Sequence, residues 1–314
     1  MTTAVAASPT VSRVGSGIAL ALTSMLLWGG QFPVGKSALA VLDGYHLTLF
    51  RFALALAIMV PILVATEGLR AFAPSRQVGL LAVLGVIGMT ISPVLTFVGT
   101  DYSGPEHAAI ILALQPSIIA IGHWITSGQR PVAFTIGCII AAFVGVALVI
   151  TKGEWSLGAT SMERWGDFLI LIASFTWVIY VLGVERFRGW SAMRLTTLSG
   201  LAGLTGTAVL ALLAEQLGWG RAPSFEAVTS VAPQIVYLAL GGVVVAMLTW
   251  NLAVQRLGAI DAMLYQNLIP VVNFVIGHLQ GHRFAPIELA GAGLVIGALA
   301  ANSLYLRARR RSSG

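Results

Sequence analysis

Ten stretches of eighteen or more largely apolar residues follow one another along the chain, at about 15–38, 44–66, 76–99, 104–126, 131–151, 165–185, 191–214, 231–254, 259–279 and 285–307. As helices, stretches of this length match the hydrocarbon thickness of a bilayer. Lipid admits only helices and closed barrels as spanning structures, and the short alternating strands that build a barrel are missing from the pattern. The chain therefore reads as an all-α polytopic membrane protein of ten transmembrane helices. Composition agrees: 57% of its 314 residues are hydrophobic and 10% charged, whereas a soluble domain carries roughly a quarter charged residues. So few charges could not cover a water-facing exterior.

The remaining segments are short. The N-terminal tail 1–14 and the stretches 152–164 and 215–229 are too small to hold a soluble domain. Residues 1–12 carry no Lys or Arg, and the first apolar run is of full spanning length, so no cleavable signal peptide is expected. Cys138 is the single cysteine, which rules out an intrachain disulfide and a thiolate metal site. Lys and Arg in the loops fall 12 on one side and 5 on the other, with Arg51 set aside inside a span. The positive-inside rule then places both termini in the cytoplasm, and a bacterial inner membrane is the expected location. The basic tail 308–314, with Arg307, reads as an anchor at an anionic leaflet. The net charge of +6 is dispersed over loops with no basic stripe, which argues against nucleic acid.

An internal repeat gives the spans an order. Residues 88–116 fall on 242–270 at a constant offset of 154, pairing Gly88 with Gly242, Gly104 with Gly258, Ala108 with Ala262 and Pro116 with Pro270. Gly128-Gln129-Arg130 falls on Gly281-His282-Arg283 one residue out of step, and Trp28 pairs with Trp177. Five spans, an odd number, separate the copies, so equivalent helices would cross the membrane in opposite directions. The expected organisation is a first five-helix repeat at 15–151, a periplasmic linker at 152–164 and a second, inverted repeat at 165–307. Inverted repeats around a midplane site are a transporter architecture.

The residues that carry a family likeness are Leu-Leu-Trp28-Gly-Gly-Gln-Phe running on to Lys36, then Leu-Phe50-Arg51-Phe, and Thr100-Asp-Tyr102-Ser-Gly-Pro-Glu-His-Ala-Ala109 followed by Ala113-Leu-Gln115-Pro116. In the second half, Leu257-Gly258-Ala-Ile-Asp-Ala262 precedes Tyr265-Gln-Asn267-Leu-Ile-Pro270. In this ordered set the chain resembles the drug/metabolite transporter superfamily, in its ten-helix EamA-type branch, and within it looks most like the YddG-type aromatic amino-acid exporters. The acidic residue usual after the fourth and ninth spans is replaced by Gln129 and His282. The resemblance implies a basket of ten helices around a central cavity, lined mainly by the first, third, fourth, sixth, eighth and ninth.

Polar groups within spans are costly and therefore informative. Gln266, Asn267, Pro270 and Asn273 share one face of the ninth span; Gln115, Pro116 and His123 share one face of the fourth. The amides can form a polar cavity wall or hold helices together. Trp28, Trp177, Tyr180, Trp250 and Tyr265 lie within spans, and Trp28 and Trp177 would present two rings to one cavity, able to stack on an aromatic or cationic solute. Gln31 lies beside Trp28, and Thr96 is the repeat partner of Trp250. The candidate binding set is thus Trp28, Gln31, Thr96, Gln115, His123, Trp177, Tyr180, Trp250, Tyr265, Gln266, Asn267 and Asn273. Trp124, Trp155, Trp165, Trp190 and Trp219 lie near span ends as interfacial residues.

The histidines are scattered, and no metal or other cofactor is expected. Asp101, Glu106, Asp167, Asp261 and Glu288 read as charges at span ends, leaving no evident acid inside the membrane. The small multidrug transporters that the halves resemble use a buried glutamate in the first helix, where this chain has Gly29 and Gln31. Lys36 and Arg51 could attract a carboxylate near the outer side, or Arg51 could pair with Asp43. Gly30 to Ser37 fits the phosphate-loop pattern by letter, but inside an apolar helix rather than after a strand. Gly293 and Gly297 offer either a dimer face or close packing within a monomer, and a monomer is expected. The expected function is export of small amphipathic metabolites, aromatic or neutral amino acids foremost, by alternating access. An organic-cation exporter is the alternative, ahead of a membrane-embedded enzyme or a passive channel.

Overall fold

The computed structural model describes residues 9–128, 130–151, 161–187, 189–258, 262, 264–281 and 283–312. All the secondary structure described is helical. We number the main helices α1 (Pro9–Leu39), α2 (Gly44–Glu67), α3 (Arg76–Ser103), α4 (Pro105–Leu112 continuing as Gln115–Ser127), α5 (Ala133–Thr151), α6 (Ser161–Val184), α7 (Ala192–Gln216), α8 (Ala232–Leu257), α9 (Leu268–Leu279) and α10 (Pro286–Ser312). Among the described residues, seven of them, α1 to α4 and α6 to α8, carry stretches long and apolar enough to cross a membrane. Within the described residues, the apolar stretches of α5, α9 and α10 are Ala133–Val149, Leu268–Leu279 and Pro286–Asn302. Within the expected ninth span, residues 259–261 and 263 lie outside the described residues, Ala262 is helical, and a 3-10 turn at Leu264–Asn267 leads into α9 at Leu268.

Both ends of the chain are more helical than the expected tails. The described part of α1 begins at Pro9, six residues before the expected first span. At the other end α10 runs on to Ser312, since arginine is a good helix former and cations suit a helix C-terminus. Ser75 and Ser191 cap α3 and α7 by accepting from Val78 N and Arg194 N. Gly104 (φ 99°) and Gly258 (φ 86°) end α3 and α8 at positive φ, which only glycine adopts without strain.

The packing pairs follow the repeat offset. α1 packs on α8 as α6 packs on α3, α1 on α9 as α6 on α4, and α2 on α8 as α7 on α3. The self-equivalent pairs α2–α7 and α5–α10 also pack together. Lipid supplies no hydrophobic drive between helices, so close approach has to come from small residues. A Cβ on Gly145 would stand 2.7 Å from the Gly291 carbonyl oxygen, and one on Gly291 would stand 2.7 Å from that of Gly145. Gly99 and Gly166 face each other in the same way between α3 and α6. Gly293 and Gly297, in contrast, are exposed with open space at the Cβ position, so the tight seam of α10 lies on the other face of the helix, at Gly291, two residues before Gly293.

α3 and α8 share an irregularity. Val86–Ile91 and Tyr237–Val245 are π-helical, and they include the paired Gly88 and Gly242. Such bulges loosen the backbone ladder and tend to sit at functional sites. α4 is interrupted too: it turns at Ala113–Leu114 and restarts with Pro116 in its new first turn. Proline has no N–H to return to the carbonyl four residues earlier, which is Leu112 for Pro116 and Gln266 for Pro270.

Candidate functional site

The π-helical segments of α3 and α8 and the breaks before Pro116 and Pro270 converge on one cavity of about 90 Å³. Gly88 and Gly242, Leu112 and Gln266 are all in its lining. Part of the irregular backbone of each helix thus borders the cavity, where departures from regular helix are tolerated. Six of the twelve expected residues line it: Trp28, Gln31, Thr96, Gln115, Trp177 and Gln266. They come from α1, α3, α4, α6 and the turn before α9, and α8 adds Val243 and Met247.

Trp28 organises this wall. Its Nε1–H donates to the Gly242 carbonyl oxygen at 3.0 Å, inside the π-helical turns of α8. Its ring meets Trp177 edge-to-face, with centroids 5.7 Å apart and planes at 90°. The rings that sequence position pairs therefore touch, in the geometry that aromatic quadrupoles favour. Gly29 lets α1 come this close to α9, because a Cβ there would stand 2.5 Å from Val272 Cβ.

Three of the other expected residues support the site without lining it. Trp250 packs on Trp28 with centroids 5.5 Å apart, and Tyr180 packs on Trp177 at 5.4 Å. The Tyr180 hydroxyl shares a 3.2 Å hydrogen bond with Ser199 on α7. Asn273 donates its Nδ2–H to the Pro105 carbonyl oxygen at 3.2 Å, joining α9 to the start of α4. Large side chains inside a helix bundle bury more area behind a cavity wall than on it. Tyr265 is half-buried against the main core. The side chains of His123 and Asn267 lie outside what the structure describes.

The structure adds a lining residue that the candidate set left out. Arg51 of α2 lines the cavity and is buried, with its Nη1 3.4 Å from Gln31 Oε1 and its guanidinium over the rings of Phe97 and Phe52. It does not pair with Asp43. That carboxylate caps α2, receives His46 Nδ1 at 2.8 Å, and accepts from the Arg221 amide at 3.2 Å. The available signal was that Arg51 is the one full charge set inside a span, which marks a functional site by default.

Two histidines that looked scattered have carboxylate partners. His46 is buried between Asp43 and Glu215, with Nε2 2.8 Å from Glu215 Oε1, and joins the start of α2 to the end of α7. Asp167 is not an exposed end charge: it is buried, with Oδ1 3.0 Å from His107 Nδ1 across the α4–α6 contact. Sixty residues separate that pair, so spacing along the chain could not show it. Lys36 meets Asp101 at 3.3 Å, which occupies it at the end of α1. Among the described residues no group of three or more His, Cys, Asp or Glu could hold a metal ion. Gly30 to Ser37 is continuous helix, which leaves no loop to cradle phosphate.

Comparison with known proteins bears on the whole chain. The model of the EamA-like transporter family matches twice, over residues 15–151 and 164–304. The uncharacterized transporter YrdR of Bacillus subtilis (strain 168) is 28% identical over 290 residues, covering 91% of this chain and 90% of the relative. Another from the same organism, the uncharacterized transporter YyaM, is 29% identical over 85% of this chain and 87% of its own length. An uncharacterized transporter of Archaeoglobus fulgidus is 27% identical over 80% of this chain and 84% of that one. A solved crystal structure superposes with a TM-score of 0.67 over 93% of this chain and 98% of its own, at 20% identity, a likeness of fold.

Proposed function

Because the chain belongs to the EamA-like transporter family, we propose that this membrane transporter exports small amphipathic metabolites, aromatic and neutral amino acids foremost, by alternating access. One observation carries the reading: the Trp28–Trp177 pair stands in the same cavity as the amides of Gln31, Gln115 and Gln266. Rings hold an apolar body and amides hold a polar head, the usual division of labour in small-molecule sites. The exchange of packing partners between the two halves supports ten spans in two inverted five-helix repeats, which rock about the cavity. The bias of Lys and Arg supports a bacterial inner-membrane location with both termini cytoplasmic. The buried guanidinium of Arg51 disfavours organic cations, since a like charge in a low-dielectric cavity is repelled.

The test is counterflow in reconstituted vesicles preloaded with unlabelled phenylalanine or leucine. Labelled solute should accumulate transiently and saturably. A flux no greater than in empty vesicles for every aromatic and neutral amino acid would remove the substrate class, and a flux that never saturates would point to a channel.

A further inference from the structure

The cavity holds a full positive charge that no described residue neutralises. Arg51 is 6% exposed. Its Nη1 reaches Gln31 Oε1 at 3.4 Å, beyond the usual hydrogen-bond range, and its Nε has no hydrogen-bond partner among the described residues. None of the ion pairs between described residues includes it, and no described Asp or Glu lines the cavity. The Phe97 and Phe52 rings, with centroids 4.6 and 5.1 Å from its Cζ, return only part of the hydration that burial removes. A second lining atom has the opposite need. Oε1 of Gln266, a residue 2% exposed, accepts from no described donor.

An unused Nε–H on a cation, beside an Nη1 held only by a long contact to Gln31, and an unused neutral acceptor share one cavity with the Trp28–Trp177 pair. We propose that the cavity is a site for a ring-bearing carboxylate whose neighbouring carbon carries a hydrogen-bond donor. Arg51 takes the carboxylate, Gln266 takes the donor, and the tryptophan pair takes the ring. A guanidinium presents parallel N–H groups in a fork that matches both carboxylate oxygens, which an ammonium cannot do. α-Amino acids and 2-hydroxy acids carry both head groups. An amine without the acid offers only the donor and brings a second positive charge beside Arg51. This assignment rests on the carrier reading above and specifies the head group it recognises.

Phenylalanine, 3-phenyllactate and phenethylamine share a ring and a two-carbon chain and differ in the head. Calorimetric titration of the purified protein in detergent at neutral pH should show both acids binding, and the amine about ten- to a hundredfold weaker. Arg51→Gln should bring the acids down to the amine's level, while Arg51→Lys keeps part of the preference. If Arg51→Gln yields no folded protein, the wild-type series decides alone. Binding of the amine as tight as that of phenylalanine overturns the proposal. Saturable phenylalanine counterflow that phenethylamine inhibits equally well overturns the carboxylate site and leaves the carrier reading standing. No binding by any of the three, with no counterflow, removes both.

Discussion

Trp28 shows how one side chain serves packing and the site together. Its ring face and edge go to Trp177 and Trp250, and its N–H goes to a carbonyl in a π-helical segment. Trp28→Phe keeps most of the ring contact and deletes the donor, so the buried Gly242 oxygen loses a partner. The expected cost is about 1 kcal/mol, read as a lower thermal midpoint in detergent. Trp28→Ala also opens a cavity and should cost about 3–5 kcal/mol. An unchanged midpoint for both variants would mean that neither the bond nor the ring stack supports the wall. At this scale the sequence was informative about residue type and poor about direction. Gln115 and Gln266 line the cavity as their helical face suggested, while Asn273, one turn past Pro270, turns to the Pro105 carbonyl instead. Periodicity assigns a face to within a turn; the neighbouring helix decides which side of that face is cavity.

At the scale of elements, helix approach is set by where glycine meets glycine. The seam of α5 and α10 runs through Gly145 and Gly291, whose backbones leave no room for a Cβ. Gly145→Val should push the two helices apart and cost about 1–3 kcal/mol, with a matching loss of yield and thermal stability. Gly293→Ala meets nothing within 4 Å and should be neutral to about 0.5 kcal/mol. Equal stability of the two variants would contradict the seam. The Gly293 and Gly297 spacing was visible in the sequence, yet the structure puts the contact on Gly291. A spacing motif names a helical stripe without saying which stripe faces the partner. The broken helices were only partly legible: Pro116 and Pro270 stand at the interruptions, yet Pro33 and Pro61 lie inside continuous helices, so the missing N–H alone does not mark a break.

At the scale of the whole molecule, His46 with Glu215 is one of the contacts that the proposed rocking would open, since it joins the start of α2 to the end of α7. Alternating access requires the halves to separate on one side at a time. Replacing Cys138, the single cysteine, with alanine and placing cysteines at 46 and 215 allows the ends to be joined by a short bifunctional thiol reagent. The joined protein should lose at least about tenfold in counterflow while keeping ligand affinity. Each single-cysteine variant treated alike should retain its flux. Full flux after cross-linking would show that these ends do not move apart during transport.

Much about this protein is determined by the sequence alone. Hydropathy makes it a helical membrane protein, the 154-residue offset relates its halves, and the same offset pairs the segments that become π-helical in α3 and α8. These properties depend on what each stretch does with its own backbone in lipid, so a local reading captures them. The tertiary structure alone decided that Arg51 faces the cavity rather than Asp43, that Trp250 and Tyr180 stand behind the tryptophan pair, and that His107 holds Asp167. Each of those depends on which helix lies against which, at separations that no period along the chain encodes. Low-dielectric surroundings then convert each such placement into a large energetic difference for a buried charge.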